Sequence, residues 1–386
     1  MSNPAHPTDQ KGELRVEVAQ ESDSDKLKNF VIKQPFLTNS PMELVVDRKG
    51  SFFDKYRLQT DDFVTFKMVD EKDEIEGIAS ILYRKTLLNG EETQVGFATD
   101  LRIANSRQAI VQWPEKLLPA MTESAVTRNC DYVFSIMNSN QTQAYNALIR
   151  PRSSRRHIPR YYFYRKYDLI TIHGKVPFTD LPFLKSIKIA PMSPNDLEPL
   201  ASYLKSRALH KPLSFPYSVD LLLERFKKWK GFDMHNFLIA KDSRNNIIGC
   251  VAPWKASHIL GISVLNYTGF GETIYEFSKW MSYFGFVKRL PAIGGEVKMK
   301  FLTHLYADNP DIFGALLAEV FRTTQKDELL SYPHFNKTPL TMPPKNFLSS
   351  KLPFSIYTIL PPEKPLPDFL QLHKVTPPPE IEPILV

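Results

Sequence analysis

The chain predicts an α/β (α+β) protein: two like halves in tandem, each a mixed, mostly antiparallel sheet flanked by helices. Three observations predict it. A short stretch occurs twice, Thr99-Asp100-Leu101-Arg102 followed by Asn105, and Thr303-His304-Leu305-Tyr306 followed by Asn309. Each copy follows a strand-turn-strand pattern that carries a glycine, Gly77 in the first and Gly249 in the second. Each copy also runs straight into an amphipathic helix. The repeated order of hairpin, strand and helix is the mark of an internal duplication.

In the first half, Leu14 to Val18 alternates as a strand does, and the charged stretch Ser22 to Ile32 reads as a helix. A short helix is expected over Phe52 to Leu58. Phe63 to Val69 is a strand, Asp70 to Glu74 a solvated turn, and Ile75 to Leu88 a long strand ending at the Asn89-Gly90 turn signal. A third strand, Thr93 to Ile103, completes an antiparallel meander. Ser106 caps a helix running to about Arg128, kinked or restarted at Pro114, with Ile110, Leu117, Leu118, Met121 and Ala125 on one face. Tyr132 to Met137 is a buried strand, Thr142 to Ile149 a short helix, and Arg160 to Ile172 a returning strand.

A boundary is expected around Gly174 to Leu184, where Pro177 and Pro182 interrupt the pattern. The order then begins again with a strand at Ile187 to Ala190 and helices at Asn195 to Arg207 and Val219 to Trp229. Strands follow at Asn236 to Lys241, Ile247 to Trp254 and Val297 to Tyr306. Asn309-Pro310 caps a helix over Ile312 to Thr324. The expected units are residues 1–175, residues 185–360, and a proline-rich extended tail, 361–386. The second half carries an insertion, Gly261 to Gly295, whose Phe277, Trp280, Met281 and Phe284 fall at helical spacing. Such a stripe is expected to pack in the core or between domains, with a lid over a cleft as the alternative.

Composition fits this organisation. At 386 residues and 42% hydrophobic content, the chain can bury two cores of ordinary size. The 49 basic and 42 acidic residues leave +7, and one segment could supply that whole excess: Arg150, Arg152, Arg155, Arg156, Arg160, Arg165 and Lys166 stand together with no acid among them. Cys130 and Cys250 are the only cysteines and have no ligand-like spacing, which argues against a disulfide framework and favours the reducing cytoplasm. The nine histidines are scattered, so no metal is expected. No apolar run is long enough to span a bilayer, and no membrane contact is expected.

The order of elements resembles the GNAT superfamily of acyl-CoA-dependent N-acetyltransferases, and the chain resembles a tandem pair of such folds. In that family the fourth strand splays from its neighbour and its free backbone groups bind the pantetheine arm, while the next helix presents N–H groups to the pyrophosphate. By resemblance, Leu101, Arg102 and Ile103 line the pantetheine, and Arg107, Gln108, Ala109 and Ile110 approach the phosphates. Asn138 and Asn140 match the asparagine of the following loop, which binds cofactor or forms an Asx turn. The family's phosphate loop runs Arg or Gln, two residues, Gly, one residue, then Gly or Ala. This chain supplies Arg107 but no glycine, and the second copy places Asp311 where the anion is expected.

Acyl transfer to an amine requires removal of an amine proton and protonation of the departing thiolate. Asp100 is the candidate for orienting the amine or accepting its proton, the alternatives being a loop cap or a partner for Arg102. Tyr145 is the candidate acid, although aligning Ala144 with the family puts Leu148 at the usual tyrosine position. His304 replaces Asp100 in the second copy and is a candidate for titration near neutrality. The resemblance therefore implies an N-acyltransferase moving an acetyl or related group from acetyl-CoA to a small-molecule or peptide primary amine by direct attack, without a metal. Two alternatives stay open. One is a non-catalytic binding module, which the missing glycines favour. The other is an aminoacyl-tRNA-dependent transferase, in which Arg150 to Lys166, interleaved with Tyr161, Tyr162, Phe163 and Tyr164, would contact nucleic acid.

Overall fold

The structure is a computed structural model that describes residues 12–34, 40–140, 149, 159–336, 338–361, 364–370, 377–382 and 384. The helix expected from Thr142, with Tyr145, and the arginines from Arg150 to Arg156 lie outside the described residues.

The first half opens with β1 (Arg15–Val18), α1 (Ser24–Ile32), β2 (Met42–Arg48) and α2 (Asp54–Arg57). The meander follows as β3 (Phe63–Val69), β4 (Ile75–Leu88) and β5 (Glu91–Ile103), and then come α3 (Arg107–Thr127), β6 (Tyr132–Asn138) and β7 (Arg160–Lys175). The second half repeats this with β8 (Lys188–Pro191), α4 (Leu197–Ala208), α5 (Val219–Lys228), β9 (Leu238–Lys241) and β10 (Ile247–Trp254). Its insertion contributes β11 (Leu260–Tyr267) and α6 (Phe270–Tyr283). It closes with β12 (Lys298–Ala307), α7 (Pro310–Thr323), β13 (Glu328–His334) and β14 (Phe347–Leu360).

Twelve strands form one sheet in the order β1-β3-β4-β5-β6-β14-β7-β13-β12-β10-β9-β8, and β2 pairs with β11 in a separate ribbon. The sheet runs unbroken across the expected boundary because the halves exchange their last strands. β14, from the second half, pairs with β6 over Phe354–Ile359, and β7, from the first, pairs with β13 over Asp168–Ile172. The two exchanged strands pair with each other along nearly their whole length. The β2–β11 ribbon ties the halves together a second time.

Helix α3 runs through both Pro114 and Pro119 without a break, capped by Ser106, whose Oγ accepts from Ala109 N at 3.1 Å. Its buried stripe is Ala109, Trp113, Leu117, Leu118, Met121 and Ala125. Ile110, expected on that stripe, is exposed. By angle it falls within that stripe, between Leu117 and Met121, so its exposure comes from its place in the first turn of the helix and not from the face it is on. Among its described residues the proline-rich end has one short turn of helix, Asp368–Leu370, and it is not left in solvent. Phe369 packs edge-on against Tyr132 and Tyr164, and Pro379 to Glu382 and Ile384 are buried.

Candidate functional site

The repeated stretch is a β-bulge in both copies. Ser80 pairs with Thr99 and Ile78 with Arg102, so Asp100 and Leu101 together face Ala79. Ala252 pairs with Thr303 and Cys250 with Tyr306, so His304 and Leu305 face Val251. The first bulge residue is left-handed each time, with φ 52° at Asp100 and φ 49° at His304. Asp and His are among the few non-glycine residues that tolerate this region, which accounts for the variable position of the repeat.

Each bulge stands where its strand parts from the next. β5 pairs in parallel with β6 only over Val95–Ala98 and Tyr132–Ser135, yet it continues to Ile103 against β4. β12 pairs with β13 only over Lys298–Phe301 and Glu328–Ser331, yet it continues along β10. Beyond Ala98 and Phe301 the two edges diverge, leaving one cleft per half. Leu101, Arg102 and Ile103 lie on the diverging part of β5. Asn138 ends β6, and its Oδ1 accepts from Asn140 N at 2.9 Å, an Asx turn. The Asn138 Nδ2 is buried without a hydrogen-bond partner.

Asp100 is held in a buried cluster. Its Oδ2 accepts from Arg48 Nη2 of the ribbon and from Tyr56 OH at 2.7 Å. Tyr56 OH is also 2.9 Å from Ser80 Oγ, which is 2.8 Å from Thr65 Oγ1. Burial alone would raise the Asp100 carboxyl, but Arg48, Lys55 and Arg102 outweigh it and hold it well below the ordinary carboxylate range. Lys55 is pushed down to about 8, first by burial and then by Arg48 and Arg102 against the pull of Asp100. A carboxylate held this way is an electrostatic anchor and a weak proton acceptor.

The N-terminus of α3 is already occupied by protein groups. Ser106 Oγ caps it and donates to the carboxylate of Glu76, which brings a negative charge to the helix end. Gln108 donates to Gly12 O, while Arg107 is exposed. At α7, Asn309 Oδ1 accepts from Ile312 N at 2.9 Å, and Asp311 stands in the first turn.

His304 does not titrate near neutrality. Burial, reinforced by Arg225, holds its imidazole well below the ordinary value. Arg225 donates to Nε2, so the remaining proton is on Nδ1, which donates to Thr303 Oγ1 at 3.0 Å. Thr303 in turn donates to Ala252 O at 2.8 Å. The chain of bonds fixes one neutral tautomer.

Between the two clefts lies a cluster that sequence reading missed. The buried end of the chain crosses there, tied by Glu380 N to Pro212 O at 2.9 Å. Glu380 accepts from Tyr217 OH and from Tyr306 OH, the latter at 2.6 Å, and Glu382 accepts from His304 N at 3.0 Å. Burial and the neighbouring Glu380 push the Glu382 carboxyl up to about 7 despite Arg225 and Arg84. Arg84, on β4, and Arg225, on α5, each approach the Phe215 ring to 4.0 Å. Arg84 Nε and Nη1 and Arg225 Nη2 are buried without hydrogen-bond partners. A narrow cavity of about 30 Å³ opens at the β5–β6 parting, walled by Arg84, Ala98, Thr99, Ile136, Ile381 and Glu382. A second cavity lies at the β12–β13 parting beside Leu305 and Tyr306, and Ile381 and Glu382 wall that one too. The one available signal for Arg84 is a cation inside the long apolar run of β4. For Glu382 it is two acids flanking Ile381 just before an apolar terminus.

With a bulged strand, a parting beside it and a capped helix after it in each half, the architecture can be placed. A GCN5-related N-acetyltransferase from Sphaerobacter thermophilus superposes with TM-score 0.51 at 9% identity, covering 89% of this chain and 95% of that one. The chain has the GNAT fold. N-myristoyltransferase from Saccharomyces cerevisiae, with bound myristoyl-CoA, gives TM-score 0.52 at 9% identity over 93% of this chain and 87% of that one. A GCN5-related glucosamine N-acetyltransferase region in a fungal multi-domain β-N-acetylglucosaminidase gives 0.56 at 10% identity, covering 90% of this chain and 38% of that one. No protein-family model and no curated protein sequence matches the chain. Among the described residues, no group of His, Cys, Asp or Glu could hold a metal ion, and no helix is long and apolar enough to cross a membrane.

Proposed function

We propose that the chain is an acyl-CoA-dependent N-acyltransferase acting at the β5–β6 parting of the first half. The observation that carries this reading is the cavity there. It combines an arginine with unpartnered donors, Arg84, and a carboxyl raised to about 7, Glu382. Transfer needs both. The amine nitrogen bonds to the thioester carbonyl carbon, its proton passes to Glu382, and the C–S bond breaks to release the coenzyme thiolate, which takes up a proton. Arg84 is aimed where the carbonyl oxygen gains charge, and donors in a dry site are effective there. A base with a value near the working pH serves better than one held far below it, so Glu382 takes the role first considered for Asp100.

In this proposal Asp100 anchors the bulge, and Leu101, Arg102 and Ile103 line the pantetheine arm, with Arg107 and Gln108 to Ile110 at its phosphate end. Asn138 and Asn140 border the same arm, and Tyr145 is the proposed donor to the thiolate. The acyl group is acetyl in the simplest form, and the acceptor is a small-molecule or peptide amine.

A second reading, a non-catalytic module with this fold, is favoured by the helix ends. Ser106 with Glu76 at α3, and Asn309 with Asp311 at α7, take the places an incoming pyrophosphate would need. Thiol release from acetyl-CoA in the presence of a panel of primary amines separates the two readings. Amine-dependent release abolished by Glu382→Gln supports the transferase, and no release with any amine supports the module.

A further inference from the structure

Helix α6 is mounted with its small residues inward and its large ones outward. Gly271 lies so close to the body that a Cβ there would fall 1.7 Å from Pro41 O, and Ser278 is 2% exposed. Phe270, Phe277, Trp280 and Phe284 form a stripe down the helix at 71%, 53%, 69% and 65% exposure. Of the stripe expected to pack in the core or between domains, Phe277, Trp280 and Phe284 are therefore turned to solvent, while Met281 is half-buried. It continues past the helix, where Phe178, 98% exposed, meets the Phe286 ring at 5.8 Å. Single exposed aromatics are ordinary, but a contiguous set of this size marks an interaction surface.

Charge says what it meets. At the aromatic end the backbone brings three cations together: Lys175 N bonds Phe286 O at 2.8 Å, and Arg289 N bonds Lys326 O at 3.2 Å two residues after the buried Val287. Among the described residues, no salt bridge engages Lys175, Arg289 or Lys326. Of the acids of the helix, Glu272 lies about 125° around it from the centre of the stripe, and Glu276, at its border about 85° away, is paired with Lys279 at 3.8 Å. Phe270 to Phe284 spans about 21 Å along the helix, and its rings stand largely in solvent. A protein partner would need a matching trough; a lipid interface adapts to protruding rings and supplies the anions. Tryptophan and phenylalanine on one face with cations at the margin is the pattern of a helix lying in the headgroup layer.

We propose that α6 and the Phe178 loop dock the protein peripherally on an anionic lipid surface. This goes beyond the acyl-transfer reading and does not depend on it. It also revises the expectation of no membrane contact, which rested on the lack of a spanning segment.

The chain carries its own probe. Trp113, Trp229 and Trp254 are 5%, 1% and 0% exposed, so a change in tryptophan emission on adding vesicles reports Trp280. Titrating the full chain with phosphatidylcholine vesicles, with and without phosphatidylserine, should give a blue shift and co-sedimentation that depend on phosphatidylserine and weaken with salt. Lys175→Glu and Arg289→Glu should each reduce partitioning about fivefold or more. Phe277→Ser with Phe284→Ser should abolish it while circular dichroism stays unchanged. Unshifted emission with protein left in the supernatant for both vesicle types would overturn the proposal. So would a lipid-free dimer, seen by sedimentation equilibrium, whose formation alone shifts the emission.

Discussion

At the residue scale, Glu382 separates stability from chemistry. Its folded value is about 7 against an ordinary 4.5, so the folded state retains a proton that the unfolded chain releases. Stability is therefore lost as pH rises from the ordinary value through about 7. Glu382→Gln should match the wild type closely in melting temperature at pH 5 and exceed it at pH 8. The same substitution should remove a rise in kcat/KM through pH 7. Asp100 behaves in the opposite sense. Its lowered carboxyl contributes stability that is present above the ordinary value and lost in acid, so Asp100→Asn should flatten the acid limb of stability. Leaving Arg48 buried without its anion should cost about 3–5 kcal/mol by urea denaturation at neutral pH. The sequence identified Asp100 as special, and it is, though as a left-handed bulge residue gripped by Arg48 and Tyr56. Arg48 was invisible from sequence because it arrives from a ribbon 52 residues away.

At the element scale, the meanders and the two helices after the bulges were legible because alternation, the Asn89-Gly90 turn and the Ser106 and Asn309 caps all point the same way. β13 and β14 were not, because Pro333 and Pro353 sit inside them and proline argues against a ladder position. β2 and β11 were missed because each finds its partner only across the molecule. The repeat glycine Gly249 has a local reason that can be tested. A Cβ there would lie 2.8 Å from Ile312 Cγ2 and 3.0 Å from Leu316 Cδ1, so α7 rests on β10 only because the side chain is absent. Gly249→Ala should cost about 1–3 kcal/mol, read from the shift in a denaturation midpoint. The aromatic helix α6 was located from its spacing, but its orientation was not, since periodicity gives a face and not the direction it turns.

At the scale of the whole molecule, the like order of elements in the two halves was legible and strand exchange was not, because the sequence shows what each half contains and not which half a strand joins. With β7 and β14 exchanged, neither half keeps a complete sheet when the other unfolds. Calorimetry should therefore show one unfolding transition whose van't Hoff and calorimetric enthalpies agree, instead of two separable domains. The chain end belongs to this scale as well, since Ile381 and Glu382 wall both clefts at once. The two clefts share one architecture and differ in equipment: the cavity at the β5–β6 parting has Arg84 on its wall, while the neutral, fully bonded His304 holds the bulge of the other half. The most direct test is calorimetric titration of the full chain with acetyl-CoA and with myristoyl-CoA. One site per chain for at least one of them is the predicted result, with amine-dependent turnover lowered at least tenfold by Arg84→Met. No heat and no thermal stabilisation at millimolar concentration of either, or turnover that ignores Arg84, would contradict it.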